Sequence, residues 1–176
     1  MRQVTKSLIT LISGFYLASL LVPGLEENLY LNRYLVFNLG EYWRLLTVAL
    51  THGGLMHLFF NMYALLILGN SLESAIGQKK FLAIFTISQI GASLASIYFS
   101  SINQVSVGAS GAIFGLFGAM IIVSKRFGLE VKQIYVIVGI NFAIGFIFPG
   151  IDWRAHLGGL ISGVIAATVL LSPARS

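Results

Sequence analysis

Long apolar runs, with almost every charge confined to short stretches between them, constrain this chain more than any other feature. A run of about 20 apolar residues is long enough to cross the hydrocarbon core of a bilayer as a helix. Inside lipid, the backbone must satisfy its own N–H and C=O groups, and a lone apolar segment does so only by coiling. Composition agrees: 57% of the residues are hydrophobic and only 10% charged, where a soluble domain carries about 25% charged residues. The expected fold is all-α, a polytopic membrane protein with a bundle of six transmembrane helices in a single domain over residues 1–176.

The six spans are expected over residues 6–22, 55–71, 81–100, 110–124, 133–148 and 155–171. The first stops at Pro23-Gly24 and the fifth at Pro149-Gly150, where proline cannot continue a helix. The fourth and sixth are short for a full crossing, and each starts near a polar residue. That implies helix ends below the membrane surface, buried in protein. The first run, led by Arg2 and Lys6, lacks an A-x-A-like cleavage site and is followed by a second apolar block, so it reads as a retained helix. Neither a low-complexity tract, nor a second domain, nor an internal repeat is visible.

Charge orients the bundle. Six crossings put both termini and the loops after helices two and four on one side, which carries eight Lys and Arg residues, among them Lys79, Lys80, Lys125 and Arg175. The other side carries Arg33, Arg44 and Arg154. The richer side is expected to be cytoplasmic. The net charge of +5 is therefore a matter of lipid topology and implies no nucleic-acid partner. The long first loop, about residues 24–54, then lies outside, with Glu41 and the Tyr42-Trp43 pair suited to an interfacial element. The absence of cysteine excludes disulfides and thiolate chemistry.

Polar groups at membrane depth are costly and usually functional. They occur here as His52-Gly-Gly-Leu-Met-His57, Asn61, Gly108-Ala-Ser110-Gly111 and Ala155-His156-Leu-Gly-Gly159. Helices two, four and six all run from outside to inside, so His57, Asn61, Ser110 and His156 converge in the outer half of the membrane. His57 and Asn61 are four apart and share a helix face. Gly108 lets the chain turn into Ser110, and Gly111 leaves room beside it. Gly115 with Gly118 or Ala119 on helix four, and Gly159, Gly163 and Ala167 on helix six, form small-residue faces that allow close approach. If those faces pack, the two helices run parallel and Ser110 lies near His156. A hydroxyl in reach of an imidazole is the minimal nucleophile and base. The start of a helix adds outward N–H groups, and His57 and Asn61 add side-chain donors for an oxyanion.

At these residues the chain resembles the rhomboid family of intramembrane serine proteases, in its minimal bacterial six-helix form. The matching elements are Trp43-Arg44, His57-Leu-Phe-Phe-Asn61 opening helix two, Glu73 just after it, Gly108-Ala-Ser110-Gly111, and Ala155-His156-Leu-Gly-Gly159. The resemblance implies a Ser-His dyad, with Ser110 as nucleophile and His156 as general base. It implies an oxyanion hole of His57, Asn61 and the Ser110 N–H, supported by Gly108, Gly111 and Gly159. His52 would help line a water-filled cavity above the dyad, and Val48 stands where some relatives have another histidine. The implied substrates are single-span membrane proteins cut in or near the outer part of the cell membrane, with the fifth helix and the loop before His156 moving to admit them. This chemistry calls for no cofactor and no metal.

Other readings fit less well. No H-E-x-x-H zinc motif is present, and zinc bound by three histidines would leave the glycine-flanked serine without a role. An aspartic dyad needs two acids at depth, and Asp152 is the sole aspartate. Asp152 lies four before His156 and could orient it as a third member, but helix six is expected to start between them. A catalytically inactive rhomboid-like protein that binds membrane clients would need neither Ser110 nor His156. A channel or transporter would show more paired charges within the spans. Glu73 reads as structural, capping a helix end or pairing with a loop charge, and Trp43-Arg44 alone would be an interfacial anchor.

Overall fold

A computed structural model describes residues 1–147 and 150–172. The described residues form eight α-helices: α1 (Gln3–Leu21), α2 (Arg33–Leu39), α3 (Arg44–Thr47), α4 (Leu55–Ile76), α5 (Gln78–Phe99), α6 (Ser110–Arg126), α7 (Lys132–Ile147) and α8 (Trp153–Leu171). Four of them, α1, α4, α5 and α8, are long and apolar enough to cross a membrane. Helix α6 has 17 residues and α7 has 16. The expected end of the fifth span at Phe148-Pro149, and Arg175 from the charge count, lie outside the described residues.

Helix α6 is the central element, buried along most of its length from Gly111 to Ser124. It packs most extensively on α8, and α5 covers both. The α6–α8 contact is possible only because it is backbone on backbone. A Cβ at Gly159 would overlap the Gly111 carbonyl, and one at Gly163 the Gly115 carbonyl. Residue numbers rise together along that seam, so the two helices run parallel. Helix α7 is the least enclosed, with only Val138 and Gly145 buried.

Two features differ from the sequence reading. Helix α4 runs on to Ile76, past the expected end at Ser71, so Glu73 lies inside it rather than after it. Its carboxylate accepts hydrogen bonds from the N–H groups of Val4 (3.0 Å) and Thr5 (2.8 Å) and from the Thr5 hydroxyl (2.8 Å). A residue of α4 thus caps α1, the capping role read for Glu73, and joins two helices. The first loop, expected to carry an interfacial element, is folded around a strand pair and two short helices. Leu31–Asn32 (β1) pairs antiparallel with Val105–Ser106 (β2), opposing Leu31 to Ser106. Arg44, which read alone would be an interfacial anchor, is buried. It binds Glu41 at 2.5 Å and the carbonyls of Glu27 and Tyr30 at 2.9 and 2.8 Å, gathering the loop around one guanidinium.

Candidate active site

Helix α6 begins at Ser110, and Ala109 before it offers no side-chain cap. The first-turn N–H groups therefore have no acceptor within the helix and point outward at the positive end of its dipole. The chain reaches this point through Gly108, whose φ of +112° suits a residue without a Cβ. Space demands glycine here too, because a Cβ would sit 2.8 Å from His57 Cε1. The Gly108 N–H donates to the Val48 carbonyl at 3.0 Å, fixing the approach to Ser110 against the first loop.

His156 lies in the first turn of α8 and is buried. Its Nε2 is 2.9 Å from Ser110 Oγ. The imidazole stacks on Phe114, centroid to centroid 4.1 Å and 11° from parallel. Phe142 of α7 meets Phe114 edge-on at 5.1 Å. Sequence reasoning did not single out Phe114. Its signal was present: an aromatic one turn after Ser110 on an otherwise small-residue stripe.

His57 and Asn61 share a face of α4 as the spacing requires. The Asn61 amide nitrogen donates to the His57 carbonyl at 2.9 Å, leaving its second N–H free. His57 Nδ1 accepts from the Gly53 N–H at 3.4 Å, and its ring lies against Gly108, two residues from Ser110. His52 is buried beside it, ring centroids 5.1 Å apart, and neither His52 nitrogen has a partner among the described residues. Burial, and secondarily the nearby His57, push the His52 imidazole down to about 4, so it is neutral at pH 7.

Asp152 makes no side-chain hydrogen bond to the His156 ring. Its Oδ1 accepts the Ala155 N–H at 3.2 Å, capping α8, and its Oδ2 accepts from the hydroxyls of Ser96 (2.5 Å) and Ser106 (2.6 Å). His156 Nδ1 is buried with no partner among the described residues. A sequence cannot show three oxygens meeting from positions 96, 106 and 152, and Ser96 and Ser106 were missed for that reason.

Comparison with known proteins adds an independent line. Residues 39–173 match the family described as the Rhomboid domain. Among similar curated proteins, Rhomboid protease GluP of Bacillus subtilis is 43% identical over 139 residues, covering 76% of this chain and 27% of that protein. RHOMBOID-like protein 5 of Arabidopsis thaliana is 37% identical over 158 residues, 85% of this chain and 50% of the relative. Inactive RHOMBOID-like protein 8 of the same plant is 38% identical over 138 residues, 74% of this chain and 39% of the relative. The chain thus spans between about a quarter and a half of the length of these relatives. With a family match over most of its length, apolar helices long enough to span a bilayer and this order of motifs, the chain is a multi-pass membrane protein that belongs to the rhomboid family.

Proposed function

We propose that the chain is an intramembrane serine endopeptidase that cleaves single-span membrane proteins through an acyl-enzyme formed on Ser110. The observation that carries this reading is the 2.9 Å contact between Ser110 Oγ and His156 Nε2 at the start of a helix with free N–H groups. A client-binding relative that does not cut has no use for that contact.

In this reading α1, α4, α5, α6, α7 and α8 are the six spans, and both termini face the cytoplasm of the cell. The starts of α4, α6 and α8 then open together toward the outside. His156, protonated on Nδ1, takes the Ser110 proton at Nε2 as Oγ attacks the scissile carbonyl. Negative charge develops on the carbonyl oxygen, where the first-turn N–H groups of α6, the free Asn61 N–H and His57 would stabilise it. The proton on Nε2 passes to the leaving amine, and water, activated by the same imidazole, releases the acyl group. His52 would keep water near the dyad.

The purified chain in detergent is expected to cleave a single-span substrate, with cleavage abolished by Ser110→Ala and by His156→Ala. A fluorophosphonate should label Ser110, which separates a peptidase from an inactive client binder without a known substrate. Cleavage that survives either substitution would show the dyad assignment to be wrong.

A further inference from the structure

The two members of the Ser110–His156 pair are each preceded, four residues earlier, by a residue bonded to the other's chain. Ser106 lies four before Ser110, Asp152 lies four before His156, and Ser106 Oγ donates to Asp152 Oδ2 at 2.6 Å. Ser96, from the last turn of α5, donates to the same oxygen at 2.5 Å, and the two hydroxyls are 2.9 Å apart. Two hydroxyl protons are available for three close contacts, so the carboxylate oxygen is the hub on which both serines depend. Both serines are buried.

We infer that Asp152, acting through Ser96 and Ser106, is the positioning residue that sets the distance between Ser110 and His156. The inference rests on the peptidase reading above for its consequence, though not for its geometry. One segment tied by this clamp is the strand entering α6: Ser106 belongs to β2, which is paired with β1, and Gly108 is then bonded to Val48. The other is the cap of α8, because Asp152 Oδ1 holds the Ala155 N–H beside His156.

The clamp supplies something the helix seam lacks. The glycine faces of α6 and α8 fix how closely the helices approach, but small residues offer little resistance to sliding along the axis. The His156 ring has no bond at Nδ1 to hold it. Beyond its stacking on Phe114 and its contact with Ser110, its position follows the backbone of the first turn of α8, and Asp152 ties that turn to the Ser110 side. A triad role is closed to Asp152, since both of its oxygens are engaged elsewhere.

The chain has no cysteine, so Ser110→Cys creates a single thiol whose reactivity reports on the imidazole beside it. Alkylation by iodoacetamide at pH 7 is expected to run about tenfold faster in Ser110→Cys than in Ser110→Cys/His156→Ala. Adding Ser96→Ala with Ser106→Ala, which leaves the Oδ1 cap intact, should bring the rate to about that of the His156→Ala control. Asp152→Ala should do the same. In the native-serine chain the paired serine substitution should lower kcat about 100-fold with KM little changed, a loss measured at a temperature well below the variant's midpoint, which the unpartnered Asp152 oxygen should lower.

The proposal is overturned if the paired serine substitution leaves alkylation and kcat near the parent values. It is also overturned if activity only tracks the thermal midpoint and Asp152→Asn, an equally good helix cap, restores both. Should the wild-type chain cleave nothing while the thiol rates behave as described, the peptidase reading fails and the clamp stands. Equal alkylation with and without His156 would sink both.

Discussion

Gly159→Ala tests whether the approach of α6 and α8 is what makes the Ser110–His156 contact. The added methyl would fall on the Gly111 carbonyl, a backbone atom that cannot swing aside as a side chain would. The helices must part, by about 1 Å or more if a normal van der Waals contact is to be restored. Gly111 adjoins Ser110, and Gly159 follows His156 by less than one turn, so the separation acts on the dyad almost undiminished. The 2.9 Å contact would open to nearly 4 Å, past hydrogen-bonding reach. The overpacking should cost about 1–3 kcal/mol of stability, and a misplacement of this size about 100-fold in rate. Gly139→Ala is the matched control. It also adds a methyl to a helix, but no atom lies within 4 Å of the new Cβ, and helix propensity favours the change by about 1 kcal/mol. Cleavage rate, fluorophosphonate labelling and thermal unfolding of the two variants in one detergent decide the matter. If Gly159→Ala retains both the midpoint and the cleavage rate while folded like Gly139→Ala, the backbone seam is not what sets the dyad, and the reasoning is wrong.

Three other substitutions address separate contacts. Glu73→Ala removes the acceptor of three hydrogen bonds at the start of α1 and leaves two N–H groups without a partner. A loss of about 2–4 kcal/mol is expected, seen as a lower thermal midpoint, with Glu73→Gln intermediate. Asn61→Ala removes a proposed oxyanion donor and should lower kcat by about 100-fold or more while KM stays near wild type; an equal change in both would point to substrate binding instead. Phe114→Leu preserves bulk in the core but removes the ring stacked on His156. Stacking of this kind contributes about 1 kcal/mol, so a several-fold fall in labelling rate is expected, with little change in the midpoint.

What the sequence revealed and what it hid follow from one distinction. Helix existence is a property of local composition, and the six apolar runs correspond to α1, α4, α5, α6, α7 and α8. Meeting of Ser110 with His156 was also legible, because the topology and the glycine seam together put two parallel helix starts side by side. Helix ends are less local. The sequence places Glu73 just past the end of helix two, and the groups it caps are residues 4 and 5, far away in the chain. The partners of Asp152 were hidden for the same reason, although the sequence already sets aside its role as a third member. Helix six is expected to start between Asp152 and His156, and Asp152 is its cap, with its second oxygen turned toward Ser96 and Ser106. In a chain with so few charges, the buried Glu73 and the half-buried Asp152 each join distant segments: Glu73 joins α4 to α1, and Asp152 joins α8 to α5 and β2. A polar residue in such a membrane protein is therefore best read by asking which distant backbone or hydroxyl groups lack a partner, in addition to the caps and carbonyls its sequence neighbours supply.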